Sequence, residues 1–302
     1  WELALNVHPL QGPGVRWDVD VTWAHNANRV LSLRGVTVLA FNDGEFSSVV
    51  LPGYPVGSFY MSDFVRCRYG ETNVRVDDSG TPTDINAYCK AHGAPNGALF
   101  VDDSGYPIPD SDTSYVQGHS TPDWTGSVRT AITLFRKLHI AAMVDVRHGG
   151  QIWNGTRGAL YSFGTHKDTE RRNVPGVIGT DVLRGPVVGP GAGRSVDLGQ
   201  PWFHGLGGGF DGPGAQFVEQ GGYTKLREIS VAYTWSGGFV RQKMGLSSVE
   251  LRLAGRNIYT WSSYSGLDPE MSIAGPAAPG GGSDWFNSPQ TRSFVISVGL
   301  SR

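Results

Sequence analysis

The sequence predicts an all-β chain, an antiparallel transmembrane β-barrel with long extracellular loops. Three observations predict it. Segments of about 8–11 residues, the length a tilted strand needs to cross a bilayer, alternate apolar and polar side chains. Tight turns and very long polar loops join these segments in turn, the connection pattern of such a barrel. No apolar run approaches the roughly 18 residues of a membrane helix, so any bilayer role falls to strands.

The alternation is read segment by segment. Residues 1–8 set Trp1, Leu3, Leu5 and Val7 against Glu2, Asn6 and His8. Residues 15–25 set Val15, Trp17, Val19, Val21 and Trp23 against Arg16, Asp18, Asp20 and Thr22. Residues 124–135 and 138–148 repeat the pattern on either side of Arg136-Lys137, and residues 228–235 and 247–256 repeat it again. The closing segment places Phe294, Ile296, Val298 and Leu300 on one face, the outward row of a final strand. A soluble sandwich with its polar face in water would alternate in the same way. The loops separate the two readings: some 70 residues follow position 148, and about 30 lie between 262 and 291.

Loop length also sets direction, with long loops outside and short turns in the periplasm. Strand 222–235 then runs inward and ends at Tyr233 and Trp235, placed for an inner aromatic girdle. Strand 247–261 runs outward and ends at Tyr259 and Trp261, placed for an outer one. Packing in an ordinary core is the alternative for these four aromatics.

Region 27–123 is less regular. Leu31–Phe41 and Phe46–Leu51 read as strands around Asn42-Asp43-Gly44, and residues 57–69 as another. Val76-Asp77-Asp78-Ser79-Gly80 recurs as Val101-Asp102-Asp103-Ser104-Gly105. Asp-Ser-Gly supplies a hairpin tip. These loops are also a weak candidate for calcium, although neither has the ligand spacing of an EF-hand, and no cofactor is expected. Residues 151–164 read as a short helix inside the long loop after position 148.

Cys67 and Cys89 fit no zinc or haem spacing. A bridge between them would close a loop of about 20 residues, contribute roughly 3 kcal/mol, and place the chain in an oxidising compartment. Two unrelated thiols are the other reading. Catalytic signatures are missing, with no H-E-x-x-H and no G-x-S-x-G. Asp268 and Glu270 flank Pro269 and read as a structural turn rather than a glycosidase pair. Gly189–Arg194 lacks the Lys-Ser/Thr ending of a phosphate loop. The net charge of −2 suggests no nucleic-acid partner.

Five stretches together resemble the C-terminal part of the SusC/RagA family of TonB-dependent outer-membrane transporters. In order they are Gly53-Tyr54-Pro55-Val56-Gly57-Ser58-Phe59-Tyr60, Thr121-Pro122-Asp123-Trp124-Thr125-Gly126, and Gly149-Gly150-Gln151-Ile152-Trp153-Asn154-Gly155-Thr156 running to Phe163-Gly164-Thr165. Then come residues 217–233, from Phe217-Val218-Glu219-Gln220-Gly221-Gly222-Tyr223 to Tyr233, and the closing segment from Ala254 to Leu300. The resemblance implies that these residues supply the last eight to ten strands of a barrel of about 22. It also implies an upstream plug and early strands, outside residues 1–302, which form part of one barrel domain. The alternating first residues, with no signal peptide before them, fit a natural start farther upstream. A bacterial outer-membrane location follows. So do import of oligosaccharides or peptides, energy from TonB, and partnership with a SusD-like surface lipoprotein. Trp153 and Trp202 are loop aromatics placed as candidates to stack on a sugar. The end of the chain departs from the pattern, because Leu300-Ser301-Arg302 stands where such barrels usually end on an aromatic. The alternative function is a secreted or surface β-rich protein that self-associates through its sheets.

Overall fold

The structure, a computed structural model, describes residues 1–41, 48–76, 82–273, 275 and 281–302. Seven long strands form one antiparallel sheet in which neighbours in space are neighbours in order. They are β1 (Glu2–Gly12), β2 (Val15–Ala24), β3 (Trp124–Leu134), β4 (Leu138–His148), β5 (Tyr223–Ser236), β6 (Ser248–Ser262) and β7 (Ser293–Ser301). The sheet is open among the described residues, since β1 and β7 each pair on one side only.

The register sorts side chains into two unlike faces. One row runs Leu10, Trp17, Ile132, Ile140, Val231, Leu253, Ile296 across all seven strands. Another runs Leu5, Val21, Val128, Val144, Leu226, Tyr259. The opposite face carries Asn6, Asp20, Arg129, Met143, Glu228 and Arg256 in register. Among the described residues no second sheet covers the apolar face: Leu253 is 49% exposed and Ile296 73%. Such side chains each contribute about 1.5–3 kcal/mol when removed from water, so this face requires an apolar neighbour outside the chain.

The turn chemistry separates the two ends of the sheet. At one end, β1–β2, β3–β4 and β5–β6 are joined by short connections, the last holding helix α3 (Gly238–Met244). At the other end the three long loops fold together into a cap. Leu99–Phe100 of the first loop pairs in parallel with Val187–Val188 of the second. Trp153 and Asn154 of the second pair in parallel with Ser283 and Asp284 of the third. The cap therefore has its own cores. One joins Phe64, Leu99, Val101, Leu198, Trp202 and Phe203, and another joins Phe59, Met61, Trp153 and Phe217.

The expected eight to ten strands become seven in the large sheet. The segments read as strands in region 27–123 belong to the cap, where Ser58–Phe64 pairs with Pro109–His119 and with Ser48–Val50. Of the strand expected over Leu31–Phe41, only Leu39–Ala40 forms. Arg34 and Gly35 adopt positive φ (50° and 97°) and turn the chain before it. The Asn42-Asp43-Gly44 turn and the first Asp-Ser-Gly tip fall outside the described residues. At the second tip, Asp102 Oδ1 accepts from the backbone amides of Ser104, Gly105 and Tyr106, an Asx turn. The helix expected over 151–164 is shorter, Gly155–Ser162. Gln151–Asn154 is strand, and the Asn154 side chain caps the helix at the Arg157 amide.

Cys67 and Cys89 are disulfide-bonded across 22 positions. Both are fully buried, in a core with Val65, Ile85, Ala98, Phe100 and Val188, so the bridge lies in apolar packing rather than in a polar segment.

Two expected outcomes follow. Leu253→Arg, at the middle of the apolar face, costs roughly 2–4 kcal/mol in unfolding from detergent or bilayer, whereas Arg252→Gln beside it costs far less. Reducing the Cys67–Cys89 bridge loosens the cap by about 3 kcal/mol, read as faster hydrogen exchange over 65–100 with the large sheet unchanged.

Candidate functional site

The charged face of the sheet and the cap that lies over it form the candidate site, and a β-bulge organises it. Leu226 faces Val144 and Tyr259, while Glu228 faces Met143 and Arg256, so Arg227 is an extra residue without a partner in either register. On β6 the slack is taken up by Asn257, at φ 49°, and Ile258. The extra residue shifts the phase of alternation. Lys225, Arg227 and Glu228 thereby all reach the charged face, while Leu226 and Ile229 stay on the apolar one.

Lys225 Nζ donates to Asp268 Oδ1 and Glu270 Oε2, both at 2.7 Å. Arg227 grips Glu270 with two nitrogens, Nη2 to Oε1 at 2.7 Å and Nη1 to Oε2 at 2.8 Å, and its Nε reaches Asp145 Oδ2 at 2.5 Å. Asp268 also accepts from the amides of Glu270 at 3.0 Å and Gln290 at 3.1 Å. Lys225 is 2% exposed. Two cations and three carboxylates thus latch the third long loop onto the strand wall. Asp268 and Glu270 do form a structural turn, and the same turn carries the latch. Burial opposes the charge on Glu270, but the hydrogen bonds from Arg227 and Lys225 outweigh it and hold the carboxyl at about 2.

Beside the latch lies a cavity of about 450 Å3 lined by Asn26, Asn28, Thr121, Arg147, Tyr223 and Glu270. It is polar and lies between wall and cap. A second cavity, of about 420 Å3, opens in the cap between Leu160, His166, Leu267 and Phe286. Bonds brace its surroundings: Thr156 to Asp284 at 3.0 Å links the second and third loops, Tyr264 bonds Asp284 at 2.6 Å within the third, and Arg157 pairs with Glu219 at 2.7 Å within the second.

Trp153 and Trp202 are not available as sugar platforms. Each is 1% exposed, in two separate cores. Trp153 stacks on Trp285 at 5.8 Å and Trp202 on Phe64 at 6.3 Å, so neighbouring rings take up the apolar faces. Tyr233 and Trp235 lie together at the short-turn end of β5, with ring centroids 4.8 Å apart, on the apolar face. Tyr259 and Trp261 lie together at the cap end of β6, 4.7 Å apart, on the same face. Phe294, Ile296, Val298 and Leu300 form one exposed row on β7. Sequence reasoning missed Asp145, Lys225 and Arg227 as a unit. Two cations two positions apart inside an otherwise amphipathic strand were the available signal.

Comparison with known proteins shows what the chain is similar to. TonB-dependent receptor P3 of Formosa agariphila is 23% identical over 313 residues, covering 99% of this chain and 28% of that receptor. TonB-dependent receptor P26 of the same organism is 21% identical over 318 residues, covering 100% of this chain and 28% of that receptor. The RagAB peptide transporter shares the fold, with a TM-score of 0.61 at 16% identity over 99% of this chain and 28% of that one. The RagAB peptide importer in its open-open state gives 0.59 at 16% identity over 100% of this chain and 28% of that one. No family profile matches the chain. The chain is therefore distantly homologous over its whole length to TonB-dependent receptors, and it spans about 28% of the length of these relatives.

Lys225→Met leaves Asp268 and Glu270 short of a buried cation and costs about 3–5 kcal/mol, read as faster hydrogen exchange over 264–273. Acid releases the same loop. The carboxyl of Glu270 is depressed from 4.5 to about 2, so its contribution is complete above pH 4.5 and is lost as pH falls through 2. Exchange over 264–273, corrected for intrinsic rate, rises within that window and stays flat above it.

Proposed function

We propose that the chain is the C-terminal wall and cap of a closed outer-membrane barrel that imports oligosaccharides or peptides. In this reading the importer is energised by TonB and works with a SusD-like surface lipoprotein. The observation that carries the reading is the predominantly apolar face, which nothing among the described residues covers and whose opposite face is charged. In a membrane the apolar face meets acyl chains and the charged face lines the solute path. A secreted sandwich would need a second sheet on that face.

The aromatic pairs act as girdles in this account. Tyr259 stands opposite Leu226, and the span from 226 to 235, at ~3.3 Å per residue and a tilt of about 40°, gives roughly 23 Å of height. That matches an apolar band of about 25 Å between aromatic belts. The latch holds the third loop against the wall, so the cap forms a fixed roof over the polar cavity and a cargo passes beside it. Likeness to RagAB, described as a peptide transporter, favours peptides over sugars as cargo.

Fractionation and uptake test this reading. The full-length protein is expected in the outer-membrane fraction, released only by detergent, with uptake of labelled short peptides or oligosaccharides lost when TonB is removed. A full-length protein that is soluble without detergent would overturn it.

A further inference from the structure

The short-turn end of the sheet carries a feature that import does not use. The β3–β4 turn runs from Leu134 to Lys137, closed by a 2.9 Å bond from the Lys137 amide to the Leu134 carbonyl. Its central residues, Phe135 and Arg136, both have positive φ, 54° and 58°. Such a turn normally takes Asn, Asp or Gly at these positions, so an aromatic and an arginine are held there against backbone preference. Phe135 is 75% exposed.

The next connection repeats the chemistry by a different route. Helix α3 buries Val240 and ends at Gly245, φ 67°, where the Gly245 amide bonds the Arg241 carbonyl. Phe239, one position before Val240, is 74% exposed, and Arg241 and Lys243 are exposed beside it. The first turn also reaches strand β5, which leads into the second, through a 2.9 Å bond from the Thr234 amide to the Lys137 carbonyl. Arg302 ends the chain on the same side, because Ser301 stands opposite Ser248. Among the described residues, none of these cations has a carboxylate partner. Glu250, on the same end, bonds Thr234 Oγ1 at 3.2 Å instead.

We propose that this rim anchors the protein to anionic phospholipid. Phe135 and Phe239 enter the acyl–headgroup boundary, and Arg136, Lys137, Arg241 and Lys243 hold headgroup phosphates. This anchor presupposes a sheet whose apolar face meets lipid, and it extends that contact past the girdle. Two features of this rim select lipid over a protein partner. Phe135 and Phe239 are exposed in the turns at the end of the sheet where Tyr233 and Trp235 stand. Arg136 and Lys137 directly follow Phe135, and Arg241 and Lys243 lie within four positions of Phe239, so long basic side chains within reach of headgroup phosphates accompany each ring. Long basic side chains beside exposed aromatics are the composition of an interfacial anchor.

Site-directed spin labelling in the full-length protein tests it. The two cysteines of this chain are bridged, so a nitroxide can be placed by Phe239→Cys, Phe135→Cys, Arg241→Cys or Ile296→Cys without reductant. Accessibility to oxygen and to a water-soluble nickel chelate is measured in bilayers with and without phosphatidylglycerol. Labels at 135 and 239 are expected to favour oxygen, and the label at 241 to favour nickel. Nickel access at 239 is expected to rise several-fold when phosphatidylglycerol is omitted or when Lys137 and Lys243 are changed to Glu. Nickel access at 239 equal to that at 241 overturns the proposal, as does indifference to phosphatidylglycerol. Shielding of 135 and 239 from both reagents also overturns it and indicates a protein partner. The label at 296 separates the two levels of argument. If it favours nickel, the lipid-facing reading itself fails; if it favours oxygen while 239 does not, only the rim anchor fails.

Discussion

A sheet with a different solvent on each side constrains everything else in this chain. Each strand must change polarity at every residue and keep that phase for its full length. Seven strands hold the phase jointly, as the row from Leu10 to Ile296 shows. One device protects it. Without the extra residue at Arg227, either Leu226 or the run Ile229, Val231, Tyr233 and Trp235 would turn to the charged side. The bulge lets β5 carry cations for the latch and still present apolar side chains along its length.

The latch explains how long loops remain ordered. Closing a long loop costs only slightly more than closing a shorter one, provided contacts within it repay the ordering. Here the repayment comes from three apolar cores, a buried disulfide and strand pairs that cross between loops. Lys225 and Arg227 then fix the third loop to the wall through Asp268 and Glu270. The apolar content of the loops is spent on the cap's own packing, which is why Trp153 and Trp202 lie inside it.

Alternation made the large sheet legible, because period 2 is a local signal and each strand carries it alone. The strand limits near 15–25, 124–135 and 138–148 were visible for that reason. The cap was not legible, since its short strands pair across loops more than 80 residues apart, as Leu99 with Val187 does. Residues 31–38 show the failure in detail. Their apolar content reads as strand, yet Arg34 and Gly35 at positive φ fold them into a turn. Asp268 and Glu270 were read as a turn, but their ion-pair partners lie more than 40 positions upstream, beyond any local pattern. At Phe135 and Arg136 the backbone adopts a turn that its residue types do not advertise.

The central claim is that one face of this sheet meets lipid and the other meets water. A cysteine scan of β7, from 293 to 301, tests it most directly in the full-length protein in intact membranes. Reaction with a water-soluble maleimide should follow period 2, with 294, 296, 298 and 300 protected and 293, 297, 299 and 301 reactive. Uniform reactivity along the strand, or uniform protection, would contradict the account.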